Sequence, residues 1–251
     1  MKTITNSVTR FSNRVEDYIK YRPHYPISLL EVLTVEVGLN PDRIIADIGS
    51  GTGISSMPFL ENGNTVYAVE PNLEMRKAAE SLFKEYPNFK SIDGTAEHTT
   101  LPAGSIDLIF CGQAFHWFDR MAAKKEFRRI LKEAGHLVLA WNRRREDTPF
   151  QKAYENMLAR LAPEYNQVNH KHINPDELES FFSPELLHKA DLYNAQQFDL
   201  EGLKGRLLSS SYCPKSGKSF IALMEATEHL FQDFQENGTV KFEYATELFW
   251  C

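Results

Sequence analysis

Short apolar runs recur at helix-length intervals between residues 43 and 141 of this chain. A run without polar alternation is typical of a parallel strand, because helices cover both faces of such a strand. Five strands are predicted on this basis, at residues 45–48, 65–69, 89–92, at the start of 106–118, and at 137–141. A helix is predicted at residues 120–134, between the last two strands. This alternation of strands and helices predicts an α/β fold.

The chain after residue 145 combines helical segments with two further strand-like segments. Helices are predicted at residues 149–161, near 200–209 and near 220–235, and strands at 190–198 and 240–250. Residues 162–177 are polar and show no periodicity. In the last strand apolar and charged residues alternate, in the order Val240, Lys241, Phe242, Glu243, Tyr244. Such alternation indicates a partly exposed face, as in an antiparallel strand near the edge of a sheet.

The first apolar run ends in an acidic residue and three alternate glycines, IADIGSGTG at residues 45–53. Gly49, Gly51 and Gly53 permit a tight turn into a helix and let bare backbone approach a ligand. The second run ends in Glu70, and an acid at this position accepts the ribose hydroxyls in dinucleotide-binding folds. The glycine loop and the acid together predict a site that holds a nucleoside.

Two cofactors fit the glycine spacing. The nicotinamide fingerprint G-x-G-x-x-G/A needs a small third residue. Counting from Gly49 puts Ile54 there, which is too large, whereas counting from Gly51 puts Ser56 there, which is tolerable. The glycine spacing alone therefore does not exclude NAD as the cofactor. NAD binding, however, gives no role to Asp47. The pattern D-x-G-x-G-x-G with a strand-2 acid resembles the first two motifs of class I S-adenosylmethionine-dependent methyltransferases.

Further segments extend this resemblance along the chain. Gly-Thr-Ala-Glu at residues 94–97 resembles the G-D-A-E segment that lines the adenine, with Thr95 where the family often has Asp. YRPHYP, AFHWFD and WNRRRED look like the trans-aconitate methyltransferase-like branch of the type 11 methyltransferases. The resemblance implies a Rossmann-like three-layer sandwich with a mostly parallel seven-stranded sheet of order 3-2-1-4-5-7-6. Residues 240–250 are the candidate for its antiparallel C-terminal strand.

The same resemblance implies roles for particular residues. S-adenosyl-L-methionine is the expected cofactor and S-adenosyl-L-homocysteine the expected product. The expected cofactor-binding residues are Tyr18, Tyr21, Arg22, Asp47, Gly49, Gly51, Gly53, Glu70, Pro71, Thr95, Ala96 and Gln113. The expected substrate pocket comprises Phe115, Trp117, Trp141 and Arg143, and His116 is the candidate catalytic residue. The N-terminal helix, predicted within residues 11–26 and ended by prolines, is expected to cover the methionine end of the cofactor.

The expected function is methyl transfer to a small-molecule acceptor with a carboxylate or hydroxyl group. An NAD-dependent oxidoreductase is the first alternative, but the helices after strand four lack its Tyr-x-x-x-Lys pattern. A non-catalytic S-adenosylmethionine-binding protein is the second. A single domain is expected, with N-terminal helices and lid at 1–42, a cofactor-binding core at 43–145, and a helical elaboration with the last strands at 146–251.

Composition and charge restrict the partners, metals and cellular location that are expected for this chain. A net charge of −6 and a pI of about 5.8 argue against nucleic acid. Cys111, Cys213 and Cys251 form no close pair, which argues against a disulfide framework or a zinc site and fits a reducing cytosol. His170 and His172 have no third ligand nearby, so no metal is predicted. The chain is expected to be cytoplasmic, without a membrane partner, and its oligomeric state is left open.

Overall fold

The computed structural model describes residues 20–165, 175–210 and 212–251. The strands are β1 Ile44–Ile48, β2 Thr65–Val69, β3 Phe89–Ile92, β4 Ile106–Gly112, β5 Leu131–Arg144, β6 His188–Phe198 and β7 Val240–Trp250. The helices are α1 Ser28–Val37, α2 Met57–Glu61, α3 Leu73–Leu82, α4 Arg120–Ile130, α5 Pro149–Leu161, α6 Pro175–Phe182, α7 Leu200–Leu208 and α8 Gly217–Phe234. None of the helices within these ranges is long and apolar enough to cross a membrane.

All seven strands lie in one sheet, in the order β3-β2-β1-β4-β5-β7-β6. The five strands from β1 to β5 pair in parallel, and β7 pairs antiparallel with both β5 and β6. The predicted fold class and strand order are therefore confirmed. Because the ends of neighbouring parallel strands share an edge, the loops after β1 to β5 converge at the carboxyl edge of the sheet.

Helices cover both faces of the sheet and make three layers. The alternation of side chains along β1 divides them between two clusters. Ala46 packs in the same cluster as Phe127 of α4 and residues of α6, whereas Ile45 packs in the cluster that contains Leu33 of α1 and Phe59 of α2. Neighbouring residues of β1 thus meet different helical layers, which is why all its residues except Asp47 are apolar.

A third cluster holds the C-terminal helices to the sheet. Tyr154 of α5, Leu207 of α7 and Leu230 of α8 pack with Phe242 and Tyr244 at the start of β7. The alternate residues of β7 are buried, which confirms the predicted alternation in this strand. The cluster places α5 and α7 beside the carboxyl end of β5, next to the loops where open α/β sheets bind ligands.

Two elements differ from the sequence prediction. The helix predicted at 120–134 ends at Ile130, and β5 begins at Leu131, which pairs with Ile106 of β4. Lys132 Nζ donates a hydrogen bond of 2.7 Å to Asp107 of β4, so tertiary pairing overrides the helical propensity of this segment. The second difference is α6, which was not predicted because its apolar stripe is short: Leu178, Phe181 and Phe182.

Candidate functional site

The glycine loop connects β1 to α2 through residues with positive φ. The φ angles are 71° at Gly49, 57° at Gly51 and 89° at Gly53, a conformation that side chains disfavour. A Cβ atom at Gly49 would lie 2.6 Å from the Cβ of Ala114, and one at Gly53 would overlap the ring of Phe83. These two glycines therefore let the loop pack closely against the loop after β4 and against the end of α3.

Gly51 has a different environment and faces open space. The nearest atom to a Cβ at Gly51 would be the Met75 sulfur at 3.7 Å, an ordinary contact distance. The Gly51 N–H donates to Glu70 Oε2 at 3.0 Å, and the Asn72 N–H donates to Glu70 Oε1 at 2.9 Å. Each carboxylate oxygen has a second lone pair. Glu70 is thus fixed in orientation while it can still accept hydrogen bonds from a ligand such as a diol.

Asp47 lies beneath the glycine loop with no solvent exposure. Its Oδ2 accepts hydrogen bonds from Ser55 at 2.7 Å and Ser56 at 2.6 Å. Its Oδ1 is buried and has no hydrogen-bond partner among the described residues. Burial raises the pKa of Asp47 to about 6, although both serine hydroxyls act in the opposite direction. A buried acceptor without a donor fits a site that receives a donor or a positive charge from a ligand.

The loop after β3 carries the predicted adenine segment. The Thr95 N–H donates to the His98 carbonyl at 3.1 Å, and Thr95 Oγ1 accepts from the His98 N–H at 3.2 Å. Ala96 is buried, and Pro71 after β2 is half-buried. Glu97 Oε1 accepts a 2.8 Å hydrogen bond from the Asp119 N–H, which joins the loops after β3 and β4. The predicted cofactor residues from Asp47 to Gln113 therefore gather at the carboxyl edge.

The loop after β4 begins with a strained residue. Gln113 has a φ of 57°, and its backbone N–H donates to the Ala140 carbonyl at 2.9 Å. Its side-chain Nε2 donates to the Asn142 carbonyl at 3.2 Å. Non-glycine residues with positive φ are costly and persist where the surroundings fix them. Two hydrogen bonds to β5 fix Gln113 at the end of β4, between the glycine loop and the end of β5.

The predicted pocket aromatics Phe115, Trp117 and Trp141, together with the candidate catalytic residue His116, divide into two groups. Phe115 is fully buried, with its ring centroid 4.5 Å from that of Phe181 and 6.3 Å from that of Trp141. His116 is exposed, and its ring lies 4.7 Å from that of Trp117. Phe115 and Trp141 thus stabilise the core in the described structure, whereas His116 and Trp117 lie nearer the surface. A substrate contact for any of the four stays a prediction.

The three consecutive arginines at the end of β5 bind carboxylates of the chain itself. Arg143 Nε donates to Glu247 at 3.2 Å, and Arg145 Nε donates to Asp147 at 2.9 Å. Arg144 forms an ion pair with Glu155 and is largely buried. The sequence prediction named Arg143 for the substrate pocket, and that role stays a prediction. The burial of Arg144 was not foreseen, because nothing in a basic run distinguishes a buried member from exposed ones.

The N-terminal residues expected to cover the cofactor contact α7. Tyr18 lies outside the described residues. The ring of Tyr21 occupies the space where a Cβ of Gly205 would lie, and Arg22 Nη2 donates to the Ser209 carbonyl at 2.9 Å. Both residues therefore pack beside α7 and the turn that follows it, and their contact with a cofactor stays a prediction.

Three amide side chains, which we call the amide clasp, hold the segment that follows Tyr21. They are Asn142 of β5, Asn194 of β6 and Gln196 of β6. Asn194 Nδ2 donates to the His24 carbonyl at 2.6 Å, and Gln196 Nε2 donates to the Arg22 carbonyl at 3.3 Å. Sequence analysis missed the clasp, since isolated amides on separate strands form no pattern along the chain.

Comparison with known proteins gives the class of the domain. Residues 46–139 match a methyltransferase domain. The matched segment begins in β1 and ends in β5, so it contains the glycine loop, Glu70 and the loop after β4. An uncharacterised methyltransferase-like protein of Schizosaccharomyces pombe is 34% identical over 151 residues, which are 60% of this chain and 58% of that protein. The chain thus spans a little over half the length of this curated relative.

Solved structures share the fold at low sequence identity. A provisionally assigned type II methyltransferase from Anaeromyxobacter dehalogenans has a TM-score of 0.65 and 20% identity, over 92% of this chain and 96% of that one. A geranyl diphosphate C-methyltransferase from Streptomyces coelicolor A3(2) has a TM-score of 0.53 and 15% identity, over 99% and 98%. Its crystal contains Mg²⁺, geranyl diphosphate and S-adenosyl-L-homocysteine. These likenesses establish the class I methyltransferase fold.

Proposed function

We propose that this chain is an S-adenosylmethionine-dependent methyltransferase that acts on a small-molecule acceptor. One observation carries the proposal: the glycine loop lies between two buried carboxylates, Asp47 and Glu70, that keep acceptor capacity for a ligand. The methyltransferase match over residues 46–139 supports it, because that segment contains both carboxylates. The S-adenosyl-L-homocysteine bound to a protein of the same fold gives further support.

The residues at the carboxyl edge fit the parts of this cofactor. Glu70 has a free lone pair on each oxygen and can accept both ribose hydroxyls. Asp47 Oδ1 is a buried acceptor without a partner in the described residues, which suits the positive end of the cofactor. Thr95 and Ala96 follow β3 next to Glu70, where an adenine would lie. Gly51 leaves room above the loop because no side chain fills that space.

Positioning is the main task of the protein in this chemistry. The cofactor supplies a methyl group on a sulfonium, which is already activated for displacement. The chain must therefore hold the acceptor in line with the methyl group and exclude competing water. The exposed His116 and the half-buried Trp117 lie in the turn that follows β4 and Gln113, and they can contribute to this alignment.

We propose that the acceptor carries a carboxylate or a hydroxyl group. A carboxylate attacks without a base, whereas a hydroxyl loses a proton that His116 can accept. We also propose that the chain belongs to the trans-aconitate methyltransferase-like branch. A cytoplasmic location is proposed as well, and the three free cysteines support it.

Isothermal titration calorimetry with S-adenosyl-L-homocysteine tests the cofactor assignment. We expect micromolar or tighter binding to the wild-type protein and at least tenfold weaker binding to Glu70→Ala, since charge-assisted hydrogen bonds contribute roughly 1.5–3 kcal/mol each. Glu80→Ala is the matched control, because Glu80 is an exposed carboxylate on α3. Tight binding of NAD, or equal S-adenosyl-L-homocysteine affinity in both variants, would contradict the proposal.

A further inference from the structure

Two arginines are buried beside the carboxyl end of β5. Arg144 ends that strand with 11% of its side chain exposed, and Arg206 of α7 is 5% exposed. The guanidinium of Arg144 lies 5.3 Å from the ring centroid of Tyr154, and that of Arg206 lies 5.5 Å from the ring centroid of Phe242. These two rings are 5.0 Å apart, so the arginines share one aromatic-walled site, which we call the arginine pair.

Among the described residues, the arginine pair has one carboxylate partner. Arg144 forms an ion pair with Glu155. Arg206 donates only to hydroxyls, to Tyr244 at 3.1 Å, to Ser210 at 3.2 Å and to Ser209 at 3.5 Å. In residues 20–165, 175–210 and 212–251, no carboxylate lies within ion-pair distance of Arg206. Within the described part of the chain, two buried cations thus face one carboxylate, and a buried charge is strongly unfavourable without a counter-ion.

Donor groups without acceptors lie in the same place. Arg144 Nε and Tyr154 Oη are buried without a hydrogen-bond partner in the described structure. Arg206 Nη2 likewise donates to no described residue. Burial raises the pKa of Tyr154 well above its ordinary value, so the hydroxyl stays protonated and can donate. Three donors beside an excess positive charge match a ligand that only accepts hydrogen bonds, which is the property of an oxyanion.

Hydrogen bonds connect the arginine pair to the predicted cofactor site. The Asn142 carbonyl, two residues before Arg144, accepts the hydrogen bond from the Gln113 side chain. On the other side, the hydroxyl of Tyr244 accepts from Arg206 and donates to Gln196 of the amide clasp at 2.9 Å. The pair therefore lies at the carboxyl end of β5, one strand away from Gln113 at the end of β4.

We propose that Arg144, Arg206 and Tyr154 form an oxyanion subsite that binds the methyl acceptor through a carboxylate or phosphate group. This inference rests on the proposed function for the identity of the bound molecule as an acceptor. It assigns recognition to a buried pair, distinct from the exposed Arg143. Neutral analogues of an acceptor should bind poorly, because they leave both the charge and the donors unpaired.

Anion titrations of the wild-type protein test the subsite directly. Succinate, benzoate and inorganic phosphate are titrated at constant ionic strength with chloride as the balancing anion, both without and with saturating S-adenosyl-L-homocysteine. We expect one of the three to bind in the millimolar range or tighter, and succinamide and benzamide not to bind. Binding of succinate or benzoate identifies a carboxylate subsite, and binding of phosphate alone a phosphate subsite. No anion binding in either condition would overturn the proposal.

Matched variants separate recognition from stability. Arg206→Gln should weaken anion binding at least tenfold, whereas Arg160→Gln, at an exposed position of α5, should leave it unchanged. Tyr154→Phe provides a second test if Arg206→Gln does not fold. It removes only the hydroxyl, so it should weaken anion binding several-fold without lowering the melting temperature, since it removes a buried donor that has no partner. Equal anion affinity in wild type and Tyr154→Phe would contradict the subsite.

The affinity for S-adenosyl-L-homocysteine distinguishes this inference from the proposed function. It should stay within twofold of wild type in Tyr154→Phe and Arg206→Gln. A tenfold loss in both would mean that the pair binds the cofactor, which would overturn the acceptor subsite. If the wild-type protein binds anions but not S-adenosyl-L-homocysteine, the subsite stands and the proposed function fails.

Discussion

At the scale of single residues, the two carboxylate oxygens of Asp47 have different environments. Two serine hydroxyls hold one carboxylate oxygen, and the other oxygen is buried without a partner in the described residues. Desolvation is the larger effect, and it raises the pKa to about 6. Burial thus favours the protonated form of Asp47 more than water does. A positive group bound next to Oδ1 would favour the ionised form instead.

The raised pKa of Asp47 predicts a specific dependence of stability on pH. Between the ordinary value of 3.8 and about 6, the folded chain binds more protons at this residue than the unfolded chain does. The free energy of unfolding should thus fall by about 3 kcal/mol from this residue as the pH rises through that interval. Urea denaturation of wild type and Asp47→Asn at pH 4, 5, 6 and 7 measures the difference.

The asparagine variant should lack this slope and be at least as stable as wild type at pH 7. Its affinity for S-adenosyl-L-homocysteine should be lower at pH 7, and the affinity of wild type should rise from pH 5 to pH 7 as Asp47 ionises. Parallel pH profiles in wild type and Asp47→Asn would contradict the assignment of the titration to this carboxylate.

Residues differ in how visible their roles are in the sequence. Asp47, Glu70 and the glycine loop follow a local pattern, because they lie at the ends of two consecutive strands and in the turn after the first of them. Arg206 and Tyr154 are far apart in sequence and meet only when α5 and α7 pack on β7. No spacing rule predicts such a meeting, and a single arginine on a helix is typical of an exposed surface.

At the scale of elements, hydrogen bonds from Thr99 to Glu126 connect helix α4 to the loop after β3. Its Oε1 accepts from the Thr99 N–H at 2.9 Å and from the Thr99 hydroxyl at 2.6 Å, and Arg129 donates to the same carboxylate at 2.7 Å. The hydrogen bonds from Arg129 and Thr99 lower the pKa of Glu126 to about 2. The helix thereby holds in place the loop that carries the predicted adenine segment.

Removal of this charge should destabilise the fold at neutral pH. We expect Glu126→Gln to lose roughly 1.5–3 kcal/mol of unfolding free energy, the range for hydrogen bonds to a charged group. Since the pKa is lowered from 4.5, the stabilisation is complete above pH 4.5 and is lost as the pH falls towards 2. Urea denaturation at pH 7 and at pH 2.5 measures this.

Glu133→Gln is the control for Glu126→Gln, because Glu133 is exposed. It should stay within about 0.5 kcal/mol of wild type. A Glu126→Gln deficit that persists undiminished at pH 2.5 would argue that packing, rather than the carboxylate, accounts for the loss.

Elements were predictable where a pattern runs over their full length. The bounds of β2, β3, α5 and β7 match the predicted segments, because each has a strong apolar period or run between turn residues. The predicted end of α4 was wrong by four residues and the predicted start of β5 by six, since the hydrogen bonds that favour the strand come from β4. Helix α6 escaped prediction because eight residues give too few repeats of a 3.6-residue period.

At the scale of the whole molecule, β7 completes the sheet. It fills the space between β5 and β6, and its buried residues include Phe242, Tyr244 and Leu248. The order of the strands followed from a family resemblance and not from periodicity. Periodicity describes each strand alone and carries no information about which distant strand it will pair with.

Deletion of residues 240–251 should abolish folding, because it removes the partner of two strands and exposes the third cluster. Circular dichroism, size-exclusion chromatography and S-adenosyl-L-homocysteine binding measure the outcome. Lys241→Gln is the control, since it changes an exposed side chain of β7 and leaves the backbone pairing intact. A truncated protein that stays monomeric and binds S-adenosyl-L-homocysteine normally would contradict the role of β7.

The position of β7 also affects how the chain is made. The strands β1 to β5 can pair in the order in which a ribosome releases them, but in the described structure β6 pairs only with β7. At about 5–20 residues per second, the roughly 50 residues from the end of β6 to the end of β7 take about 3–10 s to synthesise. During that interval β6 carries unpaired backbone groups, which a chaperone or a neighbouring nascent chain can bind. Because of the strand order, β6 must wait for the synthesis of β7 before it can pair.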